Sequence, residues 1–150
     1  MTSGGMRKEG DILGDYRLRH IVSEGRVTRT WEGEQLSMQR IVMIEMLRSK
    51  VIRQPGVVDS FISDVRAKAV VTHPGIGAVY EVFTNDDDTF FSREKLEGDS
   101  LESLYQSGSR FSPLEIVILL GQIADAMWQL KIEEVATVDY ELHHFVIAGK

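Results

Sequence analysis

A carboxylate lies inside an apolar run in the first third of the chain. Glu45 is part of residues 41–47, IVMIEML, a composition typical of a buried strand. An unpaired carboxylate is costly to bury, so Glu45 must meet either water or a cation. Arg93 or another nearby basic residue is the expected partner.

Two further groups of polar residues could bind a metal ion. His143 and His144 are adjacent in a segment predicted to be a strand, where neighbouring side chains point to opposite faces and chelate poorly. The run 86–88, three aspartates, lacks the spacing and the glycine of a calcium loop, so a solvated hairpin turn is the better interpretation. We expect no bound metal and no cofactor.

Hydrophobic periodicity indicates the elements that must position these residues. Alternating or continuous apolar runs predict strands, helical spacing predicts helices, and Pro or Gly separates them. The expected strands are 16–22, 29–36, 41–47, 75–84, 89–96 and 143–147, and the expected helices are 57–72, 99–106 and 113–131. Residues 1–10 are expected to form a disordered or tag-derived tail.

Composition excludes several classes of function. The chain has 150 residues, a net charge of −6 and no cysteine, which argues against a nucleic-acid-binding protein, a disulfide framework or a thiolate metal site. The longest apolar run, residues 116–120, is far too short to cross a bilayer. We expect a cytoplasmic protein, or the cytosolic part of a larger membrane protein, without direct membrane insertion.

Three segments resemble the bacterial eukaryotic-like serine/threonine protein kinases. Residues 73–83, HPGIGAVYEVF, are similar to HPNIV-x-x-Y-x-V of that family. Residues 95–105, KLEGDSLESLY, resemble its hinge and next helix, and residues 111–130 resemble its long helix with the QIA motif. The resemblance implies an α+β fold. A kinase N-lobe-like subdomain, with five antiparallel strands and one helix, would span 11–97, and a partial, truncated C-lobe-like helical subdomain would span 98–150.

The positions that bind nucleotide in this family are altered. Its glycine-rich loop corresponds to Ser23, Gly25 and Thr28, with one glycine retained. Glu45 stands where the family has a phosphate-binding lysine, and Asp64 stands where it has the helix glutamate that pairs with that lysine.

The hinge and catalytic-loop positions are altered as well. The hinge aligns with Arg93, Glu94 and Leu96, and the catalytic loop with Asp139, Glu141 and His144. Because the magnesium-binding motif is missing, the resemblance predicts a catalytically inactive pseudokinase, not an enzyme, acting as a scaffold or regulatory module. Two alternatives remain: a degenerate sensor that binds ATP without phosphoryl transfer, and an enzyme with altered chemistry at the catalytic-loop positions.

The helix predicted at 113–131 is apolar nearly all round. Such a helix must be covered nearly all round, and residues 98–150 offer little to cover it. We therefore expect a protein partner, either a second copy in a two-fold dimer or a downstream domain of a longer chain. The candidate interface residues are Ile116, Leu119, Leu120, Ile123, Met127 and Trp128.

Overall fold

The structure is a computed structural model that describes residues 6–135, 140 and 142–148. It divides into two compact units, Met1–Ala69 with Ala78–Lys95, and Val70–Gly77 with Leu96–Lys150. The first unit contains an antiparallel sheet and two helices, and the second is mainly helical. The α+β class predicted from the sequence is confirmed.

The first unit is built on a six-stranded antiparallel sheet. Its strands are β1 (Ile12–Leu13), β2 (Tyr16–Glu24), β3 (Thr28–Gln35), β4 (Arg40–Leu47), β5 (Val79–Thr84) and β6 (Thr89–Glu94). They are arranged in the order β1-β2-β3-β4-β6-β5. The five predicted strands are all present, and the two-residue β1 is an addition. Its apolar run is too short to give a periodic signal.

Two helices follow β4 in the sequence. The single turn α1 (Ser49–Ile52) was not predicted, and α2 (Val57–Ala69) ends three residues before the predicted end. Gly56 precedes α2 with a φ of 77°, a left-handed conformation that favours glycine. Val65 is the buried residue of α2.

One face of the sheet carries a compact apolar core. Its buried members come from β1 to β4 and β6: Leu13, Tyr16, Leu18, Trp31, Val42, Ile44, Met46 and Phe90. The ring of Phe90 stacks on Phe83 at 4.8 Å and meets Tyr16 edge-on at 5.5 Å. Gly33 lets β2 and β3 approach this core, because a methyl group there would collide with Ile44 Cδ1.

The second unit contains α3 (Leu101–Gln106), α4 (Pro113–Ile132), and a small sheet of β7 (Asp99–Ser100) and β8 (Val146–Ile147). Helix α4 begins at the predicted residue, whereas α3 begins two residues after the predicted start, because Asp99 and Ser100 form β7. Ser100 caps α3, while Ser112 and Glu115 form a capping box at the start of α4. The strand predicted at 143–147 is shorter, since residues 142–144 form a 3-10 turn.

The N-terminal segment contacts the sheet within the described residues. Arg7 Nε and Nη2 donate to the two carboxylate oxygens of Asp88 at 2.9 and 2.5 Å. Gly10 N donates to Leu18 O at 2.8 Å. Of the tail predicted over residues 1–10, residues 1–5 lie outside the described part, and Arg7 and Gly10 are held by these bonds.

Candidate functional site

Glu45 is paired with Arg93. Arg93 Nε donates to Glu45 Oε1 at 3.0 Å, and the two side chains are 30% and 28% exposed. In the register of β4 and β6, Met43 lies opposite Arg93 and Glu45 lies opposite Phe91, so the charged side chains share one face of the sheet. The prediction that Arg93 neutralises the acid in the apolar strand is confirmed.

A second charged cluster lies on the same face of the sheet. Glu32 is opposite Met43, and its side chain is only 10% exposed. It accepts from Lys95 Nζ at 2.7 Å and from Arg19 Nη1 at 3.0 Å. The hydrogen bond from Lys95 holds the pKa of Glu32 below its ordinary value, against the opposing effect of burial. Sequence reasoning missed this cluster, because Glu32 lies between Trp31 and Gly33 and no apolar run like that around Glu45 marks it.

Helix α2 packs near these charges without joining them. The ring of Phe61 on α2 lies 5.7 Å from Phe91, which is the neighbour of Glu45 across the β4–β6 ladder. Asp64 is exposed, and no hydrogen bond or ion pair joins it to Glu45. The ion pair of Glu45 is therefore formed with Arg93 on the neighbouring strand and does not involve α2.

The residues aligned with the glycine-rich loop lie at the β2–β3 turn. Ser23 belongs to β2 and Thr28 opens β3, so only residues 25–27 form the turn. Gly25 N donates to Thr28 O at 2.9 Å, and Gly25 O accepts from Arg48 Nη1 at 2.9 Å. Both backbone groups of Gly25 are therefore engaged within this unit.

The predicted hinge residues have separate structural roles. Glu94 ends β6, and its Oε2 accepts from Ala78 N at 3.0 Å, while its own N donates to Ala78 O at 2.8 Å. Leu96 belongs to the second unit, where it is 36% exposed and lies beside Gly77. Arg93 and Glu94 thus stabilise the sheet through side-chain bonds that the hinge alignment did not predict.

The residues aligned with the catalytic loop are described only in part. Asp139 and Glu141 lie outside the described residues. His144 is exposed in the 3-10 turn, with its ring centroid 4.0 Å from that of His143. The expectation that these histidines point to opposite faces of a strand is therefore wrong, because neither is in a strand.

Within the part of the chain that the structure describes, there is neither a cluster of metal ligands nor a membrane-spanning helix. No group of three or more potential ligands is placed to hold a metal ion within residues 6–135, 140 and 142–148. Over the same residues, no helix combines the length and apolar character that crossing a bilayer requires.

The six predicted interface residues of α4 differ in how far the rest of the chain covers them. Ile116, Leu120 and Trp128 are exposed, the last two at 59% each. The other three, Leu119, Ile123 and Met127, are partly covered. Periodicity found an excess of apolar residues on the helix, yet it could not tell which of them the rest of the chain covers.

Comparison with known proteins finds kinases among the relatives. The chain is 24% identical over 121 residues to the serine/threonine-protein kinase PknA of Mycobacterium tuberculosis, covering 77% of this chain and 28% of PknA. It is 21% identical over 136 residues to the serine/threonine-protein kinase PrkC of Bacillus subtilis, covering 91% of this chain and 21% of PrkC. A probable serine/threonine-protein kinase of Clostridium perfringens is 27% identical over 120 residues, covering 79% and 17%. No protein-family model matches the chain.

These relatives correct one prediction. The sequence was interpreted as a catalytically inactive protein that is not an enzyme, whereas the relatives are named as serine/threonine-protein kinases. The structure describes all of the altered positions except Asp139 and Glu141. Altered residues at these positions do not by themselves show that the protein is inactive. The prediction of a non-enzyme is therefore contradicted.

The fold and the relatives both agree with the resemblance predicted from the sequence. The antiparallel sheet with its packed helix contains the kinds of elements expected of a kinase N-lobe, and the helices that follow in the sequence resemble the start of a C-lobe. The relatives match most of this chain, while the chain spans less than a third of each of them. The predicted resemblance to the N-lobe and the start of the C-lobe of bacterial serine/threonine kinases is confirmed.

Proposed function

We propose that this chain is a kinase-like protein-binding module that associates with a second copy of itself through α4. The observation that carries the proposal is the exposure of this helix. None of its 20 residues is buried, and large apolar side chains along it are 45–69% exposed. A free helix with this surface is unfavourable in water, because soluble monomers rarely expose so extended an apolar patch. The proposed cytoplasmic location and the subdomain bounds of 11–97 and 98–150 remain predictions.

One side of α4 contacts the chain's own second unit. Asp125 Oδ2 lies 2.9 Å from His73 Nε2, and Ala126 lies beside Gly75. At 100° per residue, the side of the helix opposite Ala126 carries the exposed residues Val117 and Trp128. This geometry supports a partner on the side away from Ala126.

The spacing on that side favours another helix as the partner. Five positions follow one another at intervals of three, four, three and four residues: Leu114, Val117, Gly121, Ala124 and Trp128. That alternation is the pattern of a helix–helix seam. The small residues in the middle permit close approach, and the large residues at the ends fill the space beyond them.

A second copy fits this surface because the pattern is self-complementary. In an antiparallel pair with its two-fold axis near Gly121, Leu114 of each helix lies against Trp128 of the other. The helix is roughly 30 Å long at 1.5 Å per residue, and a contact between one pair of helices falls at the small end of protein interfaces. We therefore expect a reversible dimer with a dissociation constant on the order of micromolar.

Sedimentation equilibrium tests the dimer. The wild-type protein should show twice the monomer mass at about 100 µM and dissociate on dilution. Leu120→Asp, at the edge of the seam, should remain a monomer, because dimerisation would bury an unpaired carboxylate. Gln122→Asp adds the same charge on the opposite face of α4 and should dimerise like the wild type.

Circular dichroism verifies that both variants keep the wild-type fold, as expected for exposed positions. A wild-type protein that is monomeric and non-aggregating at about 100 µM refutes self-association. Equal dimerisation of Leu120→Asp and the wild type refutes the assignment to this face of α4.

A further inference from the structure

A cavity of about 500 Å³ lies in the first unit, between the N-terminal segment and the outer part of β2 and β3. Residues 6–9 form one wall, and the others come from the two strands, including His20, Ile21, Arg29 and Trp31. The volume is in the range of sites for small organic molecules, roughly 300–1,000 Å³. This cavity shares no residue with the Glu45 site or with α4.

Two buried nitrogen atoms of residues lining this cavity have no hydrogen-bond acceptor among the described residues. They are Trp31 Nε1 and Arg29 Nε. Trp31 as a whole is 1% exposed, and the Arg29 side chain is 15% exposed. A buried donor without an acceptor destabilises a protein by about 1–3 kcal/mol, so two beside one cavity require an explanation.

The ion pair of Arg29 does not satisfy its Nε–H group. Glu24 Oε1 lies 2.8 Å from Arg29 Nε, yet the N–H bond is not directed at that oxygen. The contact made by Nη2 is with the thioether sulfur of Met6 at 3.7 Å, and sulfur is a weak acceptor. The guanidinium is therefore positioned by charge and retains donor capacity at the cavity.

The groups around the cavity favour an anion with an apolar part. Both unsatisfied groups are donors, so the missing partner must be an acceptor. Arg7 is paired with Asp88 and Arg29 with Glu24, so the preference for an anion comes from Lys8 and from the two unsatisfied donors. Met6, Ile21 and the indole ring of Trp31 provide apolar surface that a simple inorganic ion would leave uncovered.

We propose that this cavity binds a small amphiphilic monocarboxylate. Its carboxylate accepts hydrogen bonds from Arg29 and from the indole N–H of Trp31, and its apolar chain lies along Ile21 and Met6. The site would make this unit a sensor for an organic acid, separate from any activity of the kinase-like surface.

Calorimetric titration of the whole chain with octanoate tests the proposal, with octanol and inorganic phosphate as matched probes. Octanoate should bind with one-to-one stoichiometry and a dissociation constant on the order of 100 µM. Octanol, which lacks the charge, and phosphate, which lacks the apolar chain, should each bind at least about tenfold more weakly.

Variants locate the binding. Arg29→Met should weaken octanoate binding by about tenfold or more, and Trp31→Phe, which keeps most of the ring volume, by a few-fold. Arg17→Met is the control, since Arg17 pairs with Glu34 on the same two strands and does not line the cavity. It should bind octanoate like the wild type.

Three results overturn the proposal. Absence of saturable heat with octanoate means that water alone fills the cavity. Equal binding of octanol or phosphate refutes the ligand class. Unchanged octanoate binding by Arg29→Met and Trp31→Phe places any binding elsewhere. If Arg29→Met fails to fold, Trp31→Phe and the comparison of the three probes still decide the matter.

Discussion

Reversing the charge of Glu45 should destabilise the first unit through Arg93. The pair is a charge-assisted hydrogen bond of 3.0 Å between side chains that are about a third exposed. Partial exposure screens the interaction, so removing it with Glu45→Gln should lower the free energy of unfolding by about 1 kcal/mol. Glu45→Lys adds repulsion of similar size, for a total of about 2 kcal/mol. At about 2–4 °C per kcal/mol, Glu45→Lys should lower the unfolding midpoint by roughly 4–8 °C.

The assay should report the first unit alone. Trp31 lies in that unit and is buried, whereas Trp128 lies in the second unit and is exposed. In a Trp128→Phe background, the fluorescence of Trp31 therefore follows the unfolding of the sheet. Urea titrations of this background then give free energies for each variant at Glu45 and Arg93.

The charge swap is the decisive comparison. Glu45→Lys combined with Arg93→Glu restores opposite charges and should recover all but about 0.5 kcal/mol. Glu34→Lys serves as control, because Glu34 pairs with Arg17 at 3.3 Å in a more exposed position and should change stability less. If Glu45→Lys is as stable as Glu45→Gln, or the swap recovers nothing, the ion pair does not explain the acid in the strand.

Two further predictions concern polar groups away from Glu45. The hydroxyl of Tyr16 donates to Glu81 Oε2 at 2.6 Å and lies 2.9 Å from Ser92 Oγ, and burial together with Glu81 raises its pKa to about 12. This pKa is above the unfolded value of 10, so its contribution is complete below pH 10 and is lost as pH rises through about 12. The advantage of the wild type over Tyr16→Phe in urea titrations should therefore shrink by about 2–3 kcal/mol over that interval, and a constant difference contradicts the linkage. Ser112→Ala removes the side chain that accepts from Glu115 N at 3.2 Å and should reduce the stability of α4 by about 1 kcal/mol, measured by hydrogen exchange of its first turn; unchanged exchange there contradicts the role of the cap.

Local patterns predicted most elements of the fold. Continuous or alternating apolar residues placed β2 to β6, because neighbouring side chains of a strand face opposite sides and the burial pattern repeats over two residues. Ser112 and Pro113 located the start of α4, since a cap acts within one helical turn. The two-residue β1 and the single-turn α1 were missed, because elements this short carry no period.

The resemblance to kinases was also inferred from the sequence alone. The relatives it predicted were found, whereas the inactivity inferred from it was contradicted. The three quoted segments pointed to serine/threonine-protein kinases, and the relatives found are named as such. The inference of inactivity from altered residues was contradicted, because the relatives are named as kinases. Altered motif residues show only that the family's groups are absent from those positions, and at one of them the structure shows Glu45 paired with Arg93.

Contacts between distant residues required the folded chain. Glu45 and Arg93 are 48 residues apart, and Arg7 and Asp88 are 81 apart, so sequence periodicity does not relate them. Strand order and register bring such pairs together. The unsatisfied donors of Arg29 and Trp31, and the cavity beside them, could likewise be found only in the folded chain. On α4, the sequence pattern showed an excess of apolar residues. Only the packing of the second unit shows which of them are covered and which remain exposed in the seam, because burial depends on neighbours that a local pattern does not contain.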